Sequence, residues 1–463
     1  MGVGRLFDIS VRTMSVYQRA ISVASNNISN ANNPDYSRQR VVLASETSER
    51  GIGTGVKVQD ITRIKNDLLD TQVRTYQSSF SDAEKRSAIL KQVEAIIAEP
   101  SQSGLSNYMT EFFNSWDQLT TDPTSIQLRL NIIQKANQLS SRFKETLDGI
   151  AEVQSSLQKE AGVRVEQVNS YLREISDINK NIYQSEAAGI KASDLRDQRD
   201  ALIDKLSEIV NVTVQLNDFG TATVNVAGIQ GADQSGYNQL ELKIVNGQMK
   251  IVSKKDPNSI AVLNGGELYA ISDLYSNKVP AYKTAYEDLA NVFINKVNEL
   301  HQTGQTLIQG TSSSTGIPFF GDLSGGSVVN AFVDGKIQIN SSILNNPKNI
   351  AASDTVNNDG NGNIANKIAR LADAKIPELN NQTLLESYTT NLNNLGLEKV
   401  ISDSKIESSG SVLQQLKNQK SSYSGVSLDE EMANVLKYQR SYDAAAKMVK
   451  IADQMLQTIL NMV

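Results

Sequence analysis

Chemistry needs particular side chains at particular spacings, and this chain offers few of them. Its 463 residues include no cysteine and one histidine, His301. The absence of cysteine removes disulfides, thiolate metal sites and thiol nucleophiles. A single imidazole cannot build a paired-histidine zinc site. His301 falls in the last turn of an expected helix over 282–302, where a histidine suits the helix dipole, so it is assigned no chemistry. The densest carboxylates are Asp194, Asp197 and Asp200, alternating with Arg196 and Arg199. Such a run reads as a solvated, salt-bridged helix face rather than an acid–base pair. Asn357-Asn358-Asp359-Gly360-Asn361-Gly362 begins like a calcium loop, but Ile368 stands where the closing glutamate belongs. It reads as an Asn-rich turn. Gly51-Ile52-Gly53-Thr54-Gly55 lacks the spacing of a phosphate loop and reads as a flexible or extended surface segment. No catalytic residue, metal ligand or cofactor is expected. A net charge of −6 argues against nucleic acid as a partner. No apolar run is long enough to span a bilayer, so no membrane partner is expected. Arg5, Asp8 and Arg12 interrupt the start, which excludes the apolar core of a cleaved signal peptide.

The informative spacing lies in the elements at the two ends. Leu428, Val435, Tyr442, Val449, Leu456 and Val463 recur every seven residues, with Met432, Tyr438, Ala445, Ala452, Ile459 and Leu460 beside them. Phe7, Met14, Ile21 and Ile28 repeat the step at the other end, with Val11, Tyr17 and Ala24 between. These are heptad stripes, and each is the natural partner of the other in a coiled coil. Ser427 is placed to cap the last helix, with Glu430 in the capping-box position. The first helix should end near Asn30–Asn33, because asparagine tolerates the turn and Pro34 disfavours helix before it.

Between the ends the period is mostly helical. Helices are expected over 66–98, 105–119, 193–210 and 282–302, with one or two long helices over 124–184. Further helical spacing covers 365–374, 383–395 and 404–423. Short β-like pieces fall at 41–44 and 56–61, and another at 328–340. Residues 211–266 alternate by two and carry Asn246-Gly247, a strong hairpin signal, which gives four or five strands of a small inserted domain. The expected class is mainly α with a small inserted β domain, and the domains are nested. A terminal coiled-coil core takes residues 1–35 and 427–463. A helical bundle takes 36–210 and 270–426, and the β domain takes 211–269.

The turn after the first helix carries a specific pattern. Asn26, Asn27, Asn30, Asn32, Pro34, Tyr36, Arg38 and Gln39 sit in ASNNISNANNPDYSRQRV, which resembles the N-terminal signature of bacterial flagellar axial proteins, the rod, hook and hook-associated proteins. Asp35 stands where these usually carry glycine. The segment 424–456 is similar to the family's C-terminal signature, and Asp197-Gln198-Arg199-Asp200 and 349–353 are similar to internal segments of its junction members. The resemblance implies a structural, non-enzymatic subunit at the distal end of the hook, forming the hook–filament junction and needed for filament assembly and motility. It implies that the terminal helices line the tubular axis, with the bundle outside them and the β domain outermost. The implied partners are further copies of the chain, the hook protein, a second hook–filament junction protein and an export chaperone on the C-terminal region. The implied location is the extracellular flagellum, reached by type III export without a cleaved signal. Alternatives are another axial protein, a rod or hook subunit or the second junction protein, and a secreted cell-wall hydrolase.

Overall fold

The first helix, α1 (Val3–Ser29), ends where its side chains become polar, and the Asn30 N–H closes it on the carbonyls of Asn26 and Asn27. The structure, a computed structural model, describes residues 2–47, 53–97 and 104–461. Val463 and the start of the Gly51–Gly55 cluster lie outside the described residues. After α1 the chain turns into β1 (Gln39–Thr47) and β2 (Gly53–Arg63), an antiparallel pair with Val41 opposite Ile61. This hairpin, counted with the bundle from the sequence, lies along α1. Arg12 meets Glu46 at 3.0 Å, and Arg5 donates to the Gly53 carbonyl at 3.2 Å.

The bundle follows as α2 (Asp67–Ile97), α3 (Leu105–Thr121), α4 (Ile126–Ala187) and α5 (Ser193–Ile209). The α4 helix is one uninterrupted rod of 62 residues, about 90 Å long. Ser125 caps it by accepting the Leu128 N–H, and no proline follows to break it. The inserted strands are β3 (Val212–Leu216), β4 (Ala222–Val226) and β5 (Ile229–Ala232) in one antiparallel sheet, and the hairpin β6 (Leu240–Val245) and β7 (Gln248–Ser253). Asn246 (φ 52°) and Gly247 (φ 75°) join the hairpin in the left-handed pair that matches strand twist. Val224, Val226, Leu240 and Ile251 share one hydrophobic core with the bundle helices.

Gly266 returns the chain to helix at φ 78°, and a Cβ there would lie 2.5 Å from the Ile209 carbonyl group. Next come α6 (Glu267–Asp273), a π-helical stretch over Leu274–Lys278, and α7 (Val279–Thr303). Pro280 stands at the start of α7, where its missing N–H accounts for the wider turn. Four short strands follow, β8 (Asp322–Ser324), β9 (Ser327–Val329), β10 (Phe332–Val333) and β11 (Lys336–Ile337), of which β10, β11 and most of β9 fall in the region expected to be β-like and β8 precedes it. After them come α8 (Ser341–Asn345) and α9 (Asn363–Ala369). The two helices expected over 383–395 and 404–423 are one, α10 (Leu384–Ser424), of 41 residues. Gly396 and the polar stretch after it contain no proline, and a capping box from Thr383 and Glu386 starts the helix firmly. It runs antiparallel to α2, with Tyr388 donating to the Ile97 carbonyl and Lys420 on Asp70. An extended link at 425–427 leads to α11 (Leu428–Leu460).

The bundle core is aromatic. Phe112, Trp116, Phe143, Phe293, Phe319 and Phe320 are fully buried, and Phe112 meets four of its neighbours ring to ring. His301 belongs to this core. Its Nδ1 hydrogen-bonds the Ile317 carbonyl at 2.7 Å, and its Nε2 accepts the Ala351 N–H at 2.8 Å. Those partners require the neutral ring, and burial pushes its pKa down to about 4. The helix-dipole role expected of a charged His301 therefore does not apply; the ring is a neutral crosslink between loops.

Candidate functional site: the terminal helix pair and its polar collar

Tyr17 of α1 faces Tyr438 of α11 with ring centroids 6.1 Å apart, and Asn27 meets Glu431 at 3.0 Å. The two contacts fix an antiparallel pair whose partners lie some four hundred residues apart in sequence. Ser10, Ala20, Ala24 and Asn27 on α1 and Glu431, Ala445 and Ala452 on α11 are buried. Met14, Tyr17, Ile21 and Ile28 are half-buried, as are Val435, Tyr438, Tyr442 and Val449. Phe7 (38%), Leu428 (50%) and Leu456 (38%) are exposed. The heptad step named from the sequence thus follows the larger residues, while small ones occupy the line of closest approach. Two helices packed on alanine and serine come closer than a leucine seam allows. The larger side chains then flank the contact or face outward. Met432, Leu436, Ile451, Met455, Ile459 and Leu460 remain exposed apolar side chains along α11.

At the inner end of the pair the signature residues form a polar collar. Asn27 is fully used: its amide donates to the Gln39 carbonyl and to Glu431, and its oxygen accepts from the Tyr36 hydroxyl and the Gln39 N–H. Asn26 reaches the Tyr36 hydroxyl at 3.4 Å, and Asn30 folds back on Asn26. Asn32 and Pro34 stand exposed in the turn. Arg38 grips the start of α11, with Nε 2.8 Å from Glu431 and Nη1 2.6 Å from Glu430. Its backbone N–H donates to the Ser424 carbonyl at the end of α10. Ser427 does cap α11, yet the Glu430 carboxylate turns to Arg38 instead of closing a capping box. Burial pushes the Tyr36 hydroxyl well above the usual tyrosine range, helped by Asp194, Asp197 and Glu431.

Behind the collar lies an ionic cluster. Asp197 takes the Ser37 N–H on one oxygen and Arg63 on the other. Asp200 holds Arg199 on one oxygen and Lys65 and Arg63 on the other. Lys65 continues to Asp70, Lys420 bridges Asp70 and Asp204, and Arg74 binds Asp204. Gln39 donates to Asp194 at 3.0 Å. Asp197 and Arg199 are buried, which corrects the expectation of a solvated face. A complementary set of charges on α2, β2 and α10 replaces water. Burial raises the Asp197 carboxyl, with Arg63 offsetting only part of it. Burial acts on Asp200 too, but Arg199, Lys65 and Arg63 outweigh it and hold that carboxyl far below the usual range. The opposed shifts resemble an acid–base pair, but every oxygen of Asp197 and Asp200 already accepts from a fixed donor. The arrangement holds α2, α5, α10 and the end of β2 together.

In the loop at 353–363 the side chains are likewise occupied. Asp359 accepts the Ile308 N–H, Asn357 accepts the Ser313 N–H, and Asn361 donates to Asp354. Among the described residues no group of His, Asp or Glu has the geometry of a metal site. No described helix is long and apolar enough to cross a membrane.

Sequence reasoning missed Glu431, Arg63, Lys65, Asp70 and Lys420. Glu431 had a signal, because it stands seven residues before Tyr438, which stands seven before Ala445. A carboxylate in the contact row of an apolar helix asks for a buried partner.

Comparison with known proteins gives the same direction from the middle of the chain and from its C-terminal part. Residues 90–320 match the model of the flagellar hook-associated protein FlgK helical domain, and residues 418–462 match the flagellar basal body rod FlgEFG protein C-terminal model. The chain is 29% identical to flagellar hook-associated protein 1 of Bacillus subtilis, over 97% of this chain and 96% of that protein. It is 24% identical to the Escherichia coli protein of the same name, over 98% and 99%. The structure of the flagellar hook junction protein FlgK from Burkholderia pseudomallei superposes with a TM-score of 0.62 at 13% identity, over 76% of this chain and all of that one. The relatives are structural proteins of the flagellum, and the chain belongs to the flagellar hook-associated protein 1 family.

Proposed function

We propose that the chain assembles at the distal end of the hook as a structural subunit of the hook–filament junction, and that filament assembly and motility depend on it. The terminal helix pair is the part that assembles. One observation carries this: α11 keeps exposed apolar side chains, ending with Leu460 at 74% exposure, that α1 does not cover. At 33 residues against 27, α11 also outruns α1 by about 9 Å. An apolar surface of this extent marks an association site, and neighbouring subunits of an open helical array would bury it. The neighbours are further copies of the chain, the hook protein below and a second junction protein above. Before export the same side chains need cover, which fits a chaperone on the C-terminal region. Export then brings the subunit to the extracellular flagellum.

The test is to remove 456–463 in the cell. The account expects an unchanged bundle, bare hooks and flagellin lost to the medium. Normal filaments on that mutant would overturn the assembly role of α11.

A further inference from the structure

The contact row between α1 and α11 contains a chemical irregularity. Ser10, Ala20 and Ala24 on α1 and Ala445 and Ala452 on α11 are buried, with Val16 the one larger aliphatic side chain beside them, so much of the buried row is small and offers little to distinguish one position from the next. Such a row fixes longitudinal position weakly, because a helix displaced by one heptad meets similar small side chains. Two positions differ. Asn27 is 1% exposed and Glu431 is 3% exposed, and they are bonded to each other at 3.0 Å. Displacing α11 by a heptad would separate them and leave a buried carboxylate and a buried amide unpaired. Arg38 strengthens the penalty, because it binds the same Glu431 and is itself tied to the Ser424 carbonyl.

We propose that Asn27, Glu431 and Arg38 are the register-determining residues of the terminal pair. They select one longitudinal alignment of α11 on α1, and thereby the height at which the exposed apolar side chains of α11 are presented to a neighbour. They are positioning residues and touch no partner themselves. The inference rests on reading the pair as the assembly element, but its test uses the free subunit, so the filament experiment stands or falls separately.

The chain has no cysteine, so introduced thiols are the only ones present. Tyr17→Cys with Tyr438→Cys reports the observed alignment. Ser10→Cys with Tyr438→Cys and Tyr17→Cys with Ala445→Cys report slips of one heptad in either direction. Disulfide formation under mild oxidation is compared in the parent chain and in Asn27→Leu/Glu431→Leu, which replaces the polar couple with apolar side chains. Trp116 fluorescence confirms an intact bundle in each. In the parent, the in-register pair should close at least about tenfold faster than either slip pair. In the apolar background the ratio should fall toward one, while Glu431→Gln, which keeps an acceptor for Asn27, should hold most of it. An unchanged ratio in the apolar background would overturn the proposal. So would equal closure of all pairs in the parent, or loss of all closure in the apolar background, since the polar group would then hold the helices together without choosing their register.

Discussion

The bundle and the terminal pair are both helical, yet they bury opposite kinds of residue. The bundle closes over Phe112, Trp116, Phe143 and Phe293, all at 0% exposure. The terminal pair buries alanines, one valine, a serine and a polar couple, and leaves Met432, Leu436, Ile459 and Leu460 outside. A helix that hides its large side chains from water has completed its packing. One that hides mainly its small ones has reserved much of the larger apolar area for something else. The polar collar and ionic cluster sit where the two regimes meet. There Arg38 and Lys420 tie the α10–α11 link to the signature turn and to α2 and α5.

The contrast can be broken region by region. Phe112→Ala should cost about 3–5 kcal/mol of bundle stability, read as a lower urea midpoint of Trp116 fluorescence. Leu456→Ala removes a comparable apolar group from the pair but should cost the free subunit under about 1 kcal/mol, while reducing filament number in cells. Equal losses of stability would erase the distinction. His301→Ala should cost about 2–4 kcal/mol, because the Ile317 carbonyl and the Ala351 N–H lose their partner.

Acid should act on the bundle through the same ring. The pKa of His301 is about 4 in the fold, against roughly 6.5 when unfolded. Between those values the unfolded chain binds the extra proton, so stability is full above pH 6.5 and falls as the pH drops toward 4, by about 3 kcal/mol in all. Urea titrations from pH 7 to 4 should show this slope in the parent and lose it in His301→Gln. The smallest effect belongs to the collar's outer edge. Glu430→Gln should change stability by under about 1 kcal/mol, because its carboxylate is largely exposed, and thermal melts would show it.

Local pattern carried much of the fold. The α2, α3 and α5 helices lie within two residues of their expected limits, and the Asn246-Gly247 turn is where its residue types required it. What escaped depends on partners distant in sequence. Asp194 to Asp200 reads the same whether it faces water or a matching set of charges, and only folding brings Arg63 and Lys65 to it. His301 is polar in sequence and buried in space, because two backbone groups from separate loops converge on its ring. The heptad count found which helices pair but tracked the large residues, since periodicity cannot tell a tight alanine contact from a leucine seam. The signature residues were legible as a pattern. Their work, with Asn27 using all four of its hydrogen bonds, became visible only with Glu431 beside them.

Amide hydrogen exchange on the free, full-length subunit tests the central contrast most directly. The account predicts that amides at Met14, Ile21, Tyr442 and Val449 exchange at least about a hundredfold faster than those at Phe143 and Leu289, and become protected once subunits assemble on hooks. Equal protection of both regions in the dilute subunit would contradict it, because the terminal pair would then be complete without a neighbour.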